Sequence, residues 1–198
     1  MPDHAPSAAS RTSPASVETM SIPTITLNNG VTMPALGLGV FQTPPDETIA
    51  AVEAALEVGY RLIDTAVNYR NEREVSEAIR ASGVDRGDVF VQTKVPGRDH
   101  RGARDCIETS LQVMGLEDLD SVLIHWPNPS QGAYVRAWQG LVEAQEAGLV
   151  RSIGVSNFHP HHLDAIIEAT GVTPASNQIE MHPSFPQAEQ RADDEARG

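Results

Sequence analysis

The sequence predicts an α/β fold: a parallel sheet of about six strand–helix units, preceded by a β-hairpin. Three observations carry this. Short, near-continuously apolar runs alternate with amphipathic stretches over residues 36–181, as parallel strands covered on both faces require. The runs recur at about 30 residues, the size of one βα unit. Asp64 and Lys94 stand 30 residues apart, and Lys94 and His125 stand 31 apart. Finally, the runs from the second onward end on or carry polar residues, which places those residues at equivalent points of successive units.

The elements follow in order. Residues 24–36, TITLNNGVTMPAL, show period-two apolar residues around Asn29-Gly30, a strong hairpin signal. The strands then read LGLGV (36–40), YRLIDTA (60–66), VFVQTKV (89–95), DSVLIHW (120–126), RSIGVSN (151–157) and SNQIEM (176–181). Between them, the stretch 46–59 places Ile49, Val52, Ala55 and Leu56 on one helical face, and Gly59 can stop it. Further helices are expected over 71–82, 102–114, 133–148 and 160–170, the last opening on Pro160, a residue tolerated at a first helical position. Such a chain forms either an open doubly wound sheet or a (βα)8 TIM-type barrel. The first strand, GLGVFQ, lacks the third glycine of a dinucleotide fingerprint, which argues against the open sheet.

Composition narrows the partners. The chain of 198 residues is 40% hydrophobic and carries a formal net charge of −13. That sign disfavours nucleic acid and an anionic membrane surface. No run approaches the roughly 18 apolar residues of a membrane span. The single cysteine, Cys106, fits a reducing compartment such as the cytoplasm. It lies mid-helix, where it reads as a packed small residue. Residues 1–21 are rich in Pro, Ser and Ala and read as a disordered N-terminal tail, with Met20 as an alternative start and residues 22–198 as the folded domain. His159, His161 and His162 sit at a helix start with no acidic or thiol ligand set nearby in sequence, so no metal site is expected.

The strand ends carry the chemistry. Asp64, Lys94 and His125 close the second, third and fourth strands, Ser156-Asn157 the fifth, and Gln178 lies in the sixth; Tyr69 follows Asp64 on the next loop. In a barrel, the carboxyl ends of the strands converge on the active-site rim. A phenol, with an ordinary pKa of about 10, exchanges protons poorly at neutral pH. A nearby ammonium lowers that value. A carboxylate holds the ammonium in place, and an imidazole polarises a carbonyl oxygen or shares its proton. The set suits carbonyl reduction, with Tyr69 as proton donor. The amides of Asn157 and Gln178 would hydrogen-bond a carboxamide such as that of nicotinamide.

With GLGVFQTP, GYRLIDTAVNYRNE, VFVQTKVPGRDH, LIHWPNP, RSIGVSNF and NQIEMHP in this order, residues 22–187 resemble the aldo-keto reductase family. The resemblance implies a barrel and NADPH, less often NADH, as cofactor. It implies a catalytic tetrad of Asp64, Tyr69, Lys94 and His125, with Trp126 in the substrate pocket. Ser156, Asn157 and Gln178 would hold the nicotinamide amide, and Gly39, Val40, Phe41 and Asp64 would lie along its ribose. The substrate would be a small-molecule aldehyde or ketone. Two positions depart from the family pattern. Arg70 stands where a glycine commonly follows the tyrosine, and Arg101 replaces a usual small residue.

After residue 187 the only apolar residues are Ala188, Ala192 and Ala196. Residues 22–198 fall short of the roughly 250 of a full barrel. The expectation is therefore an incomplete barrel of about six units, lacking strands seven and eight and the phosphate-gripping loops that follow them. The resemblance implies that the basic cluster for the 2′-phosphate and the aromatic stacked on nicotinamide belong to that missing part. Two open sheet edges would leave the oligomeric state undetermined. A second reading follows: a catalytically inactive, shortened relative that acts as a binding subunit or is a non-functional fragment.

Overall fold

The computed structural model describes residues 22–198; the tail expected over 1–21, with Met20, lies outside the described residues. The hairpin is present as strands β1 (Thr24–Thr26) and β2 (Thr32–Pro34), paired antiparallel, with Ile25 opposite Met33. Gly30 closes its turn at φ +83, a conformation glycine adopts without steric cost. Asn28 Nδ2 donates to the Pro174 carbonyl (3.0 Å) and Asn29 Nδ2 to that of Arg151 (3.2 Å), which ties the turn to the main sheet.

That sheet comprises β3 (Leu38–Gly39), β4 (Leu62–Asp64), β5 (Phe90–Val95), β6 (Leu119–Ile124), β7 (Val150–Ser156) and β8 (Asn177–Gln178). All pairings are parallel and follow chain order. Helices α1 (Pro45–Glu57), α2 (Glu72–Ser82), α3 (Ala103–Met114), α4 (Tyr134–Glu146) and α5 (Pro160–Thr170) fill the crossovers. The result is a partial (βα)8-type barrel. Among the described residues, β3 and β8 each have one strand neighbour. The expected strand over 176–181 contracts to two residues, because β8 has a ladder on one side only.

Alternation along β5 sets the two faces. Thr93 Oγ1 donates to Glu72 of α2 (2.6 Å), while Gln92 and Lys94 turn the other way, toward Asp64. Val91 and Val95, with Val122, Ile124, Ile153 and Val155 of the neighbouring strands, build the apolar core with the helices. Trp138 of α4 is fully buried there, its indole N–H donating to Thr170 Oγ1 (3.1 Å).

The last helix, α6 (Ala188–Arg197), lacks the apolar stripe that packing on a barrel requires. Polar bonds hold it instead. Arg197 pairs with Asp164 of α5 (2.7 Å), and Asn177 Nδ2 donates to Asp194 (3.1 Å). At α5, His162 Nδ1 accepts the His159 backbone N–H (3.1 Å) and so helps to cap the helix start. Cys106 is half-buried in α3, and burial, followed by the charge of Asp99, pushes its thiol up to about 12. Among the described residues, no helix is long and apolar enough to cross a membrane.

Candidate active site

Register brings the strand-closing residues together. Asp64 lies level with Gln92 across the β4–β5 ladder, and paired positions of parallel strands point to the same face. Lys94, two residues further along β5, keeps that face and reaches back to the carboxylate. Its Nζ donates to both Asp64 oxygens at 2.6 Å and to the Thr65 carbonyl at 3.0 Å. Lys94 is the only lysine in the sequence, and it is 1% exposed. The Tyr69 hydroxyl stands 3.5 Å from Nζ, and Nζ lies 5.1 Å from the phenol ring centre. The His125 ring meets the phenol edge-on, with centroids 5.6 Å apart.

Tyr69 and His125 open onto a cavity of about 500 Å³, also lined by Phe41, Trp126, Ser156, Asn157 and Gln178, while Lys94 and Asp64 stand behind the phenol, outside that lining. Phe41 tilts against Tyr69 at 5.1 Å. Phe41 and Trp126 are both more than half exposed. Ser156 Oγ donates to the Gln178 carbonyl (2.9 Å), and Asn157 Nδ2 to the His125 carbonyl (3.2 Å). Gly39 lies level with Asp64. Val40 stands apart from this lining. Its side chain is buried in the core, its N–H donates to the Asp64 carbonyl (3.0 Å), and its own carbonyl accepts from Asn71 (3.1 Å).

Electrostatics depart from the sequence expectation at the phenol. A neighbouring ammonium should lower the Tyr69 pKa, yet burial and then Asp64 raise it to about 12. Burial of the hydroxyl is the larger cause, and the Asp64 carboxylate, 2.6 Å from Nζ, adds to it. Burial lowers Lys94, and Asp64 acts against that shift. Burial, followed by the Lys94 charge, lowers His125 to about 4, so its imidazole is neutral at pH 7. The His125 Nδ1 is buried without a hydrogen-bond partner.

Three supporting residues escaped the sequence reading. Gln92 Nε2 donates to Asp64 Oδ1 at 2.7 Å; the period-two spacing from Lys94 along β5 was the available signal. Thr65 and Asn71, joined at 2.7 Å, close the base of the Tyr69 loop. Arg70, within that loop, takes the left-handed conformation (φ +60, ψ 30), which glycine adopts without steric cost.

Residues 34–195 match the model of the aldo/keto reductase family. The chain is 55% identical over 174 residues to 2,5-diketo-D-gluconic acid reductase B of Corynebacterium sp. (strain SHS752001), covering 87% of this chain and 63% of that protein. It is 47% identical to methylglyoxal reductase DkgA of Escherichia coli (strain K12), with the same 87% and 63% coverage. The chain thus spans 63% of the length of both relatives. Among solved structures, a variant of Gox0644 in complex with NADPH superposes with a TM-score of 0.85 at 41% identity, covering 90% of this chain and 65% of that one.

Proposed function

We propose a function from one premise: the chain belongs to the aldo/keto reductase family. Residues 22–198 act as a barrel-type oxidoreductase domain that reduces an aldehyde or ketone to an alcohol with NADPH, NADH being the alternative. The observation that carries this reading is the contact of phenol, ammonium, carboxylate and imidazole in one cluster, with the phenol and the imidazole open to the cavity. The cavity also fits the cofactor's nicotinamide end. Asn157 Nδ2 is engaged by His125, which leaves Asn157 Oδ1 and the Gln178 carboxamide to pair with the ring amide, beside Ser156. The nicotinamide supplies the hydride.

The chain's own residues handle the proton and the polarisation. The Tyr69 hydroxyl gives its proton to the carbonyl oxygen as that oxygen becomes an alkoxide. An alkoxide is a stronger base than a phenolate, even one whose conjugate acid lies near 12. Lys94, 3.5 Å away, stabilises the phenolate left behind, and Asp64 and Gln92 hold the ammonium–carboxylate pair in place. His125 is neutral, so it offers the carbonyl oxygen a neutral N–H. Its buried, unpartnered Nδ1 favours placing that proton on Nε2. Trp126 and Phe41, exposed at the mouth, form the apolar walls for the substrate. A single cysteine supports a reducing compartment, the cytoplasm.

The names of the two curated relatives recommend small dicarbonyls as test substrates. The purified chain should consume NADPH with methylglyoxal or 2,5-diketogluconate, and NADPH should quench its tryptophan fluorescence. Tyr69→Phe should abolish turnover while leaving the quenching intact. Absence of both quenching and turnover at millimolar cofactor refutes the reading, and turnover retained by Tyr69→Phe removes Tyr69 as the proton donor.

A further inference from the structure

We propose that Asn71 is a positioning residue for carbonyl reduction: its buried side chain joins the loop that carries Tyr69 to the loop that carries Phe41, and so fixes where the phenol stands. The proposal rests on the function assigned above.

Asn71 is the residue just before α2, where an asparagine side chain ordinarily accepts a backbone N–H from the first helical turn. Here it makes no capping bond. Its Oδ1 accepts from Thr65 Oγ1 at 2.7 Å. Its Nδ2 donates to the carbonyls of Val40 (3.1 Å) and Thr43 (3.2 Å) and lies 3.3 Å from Thr48 Oγ1. Asn71, Thr65 and Thr48 are each fully buried. One amide therefore binds the end of β4, the loop after β3 and the start of α1, away from water that could substitute for it.

Both arms lead to the reacting groups. On one side, the Thr65 hydroxyl donates a hydrogen bond to Asn71 Oδ1, and the Thr65 carbonyl accepts from Lys94 Nζ at 3.0 Å. On the other side, the Val40 carbonyl held by Asn71 directly precedes Phe41, whose ring lies 5.1 Å from that of Tyr69. The phenol is thus fixed from below by the Thr65–Asn71 bond that closes its own loop, and from the side by the Phe41 ring. Small displacements of a proton donor carry large kinetic costs, so a residue that sets this position acts on turnover without touching the substrate.

The test uses the full chain and three variants. Thr65→Val deletes the hydroxyl, Thr65→Ser restores it, and Asn71→Ala removes the amide. In Thr65→Val, kcat should fall roughly 10- to 100-fold with KM for the carbonyl changed by no more than about twofold. Thr65→Ser should recover most of the loss, and Asn71→Ala should fall at least as far as the valine variant. Hydrogen exchange should accelerate jointly over residues 40–48 and 65–72 in Thr65→Val, while β7 and α5 keep the parent's protection. If Asn71→Ala fails to fold, Thr65→Val carries the test. An unchanged kcat in folded Thr65→Val, or a loss that serine does not restore, overturns the proposal. If the parent chain turns over no carbonyl, the assigned function is what fails, and exchange decides the rest. Joint loss of protection in both loops then upholds the coupling, and loss confined to one loop overturns it.

Discussion

Replacing Asp64 with Asn removes the only charge that pairs with Lys94 among the described residues. Lys94 is 1% exposed and Asp64 14%, and Nζ sits 2.6 Å from the carboxylate. At an effective dielectric constant of about 20, such a pair attracts by roughly 6 kcal/mol before desolvation is counted. Removing one partner of a buried pair costs about 3–5 kcal/mol, because the other charge stays buried and unpaired. In Asp64→Asn the amide oxygen and the Thr65 carbonyl still accept from Nζ, which favours the low end, about 3 kcal/mol. For a chain of this size that corresponds to a melting point lower by about 6–12 °C. The deficit should depend on pH with a definite sign. Burial holds Lys94 below its ordinary value of 10.5, and Asp64 works against that shift. Without Asp64, the folded state binds fewer protons than the unfolded one between the lowered value and 10.5, so stability rises with pH across that window. The assay is urea unfolding followed by circular dichroism at several pH values, with Lys94→Met and the double variant closing a thermodynamic cycle. A coupling energy of about 2–3 kcal/mol is expected. Asp64→Asn within about 1 kcal/mol of the parent, or strictly additive single variants, would refute the argument.

Further outcomes can be checked alongside. The His125 ring, followed by NMR, should titrate near 4 rather than at the ordinary imidazole value, so its contribution to stability is present at neutral pH and lost as pH falls toward 4; a midpoint above 6 contradicts this. Gly154→Ala should destabilise the sheet by about 1–3 kcal/mol, since a methyl group there would stand 2.5 Å from Ser176 Oγ and 2.8 Å from the Ser176 carbonyl; a neutral urea midpoint contradicts the packing of β7 on β8. Arg70→Gly should raise stability by about 0.5–1 kcal/mol, because relief of the left-handed strain at φ +60 exceeds the added flexibility of the unfolded chain; a less stable variant would show that the arginine makes compensating contacts.

The strands and helices could be read from the sequence because their signal is local: apolar runs recur at βα spacing, and Pro160 opens α5 where expected. The convergence of Asp64, Lys94 and His125 was readable for the same reason, since residues closing consecutive parallel strands must share a rim. The supporting set was not. In sequence Asn71 is only the first residue of the helix expected over 71–82, and only the fold shows its amide turned toward Val40 and Thr43. The direction of the Tyr69 shift is set first by how deeply the folded chain buries the hydroxyl and then by Asp64, and residue types do not encode that burial. The helix α6 escaped the apolar-stripe criterion because ion pairs and amide bonds hold it in place of hydrophobic packing.

The solitary lysine turns β5 into its own reporter. Apart from the terminal amine, the chain has a single aliphatic amino group to acylate, and it is buried between Asp64 and Tyr69. A lysine-specific protease therefore has one peptide bond to cut, between Lys94 and Val95, within a strand flanked on both sides. The rate of that cleavage, or of acylation, reads out how often the strand comes free. Amine coupling to a solid support that engages the side chain would, by the same logic, succeed only by dismantling the site.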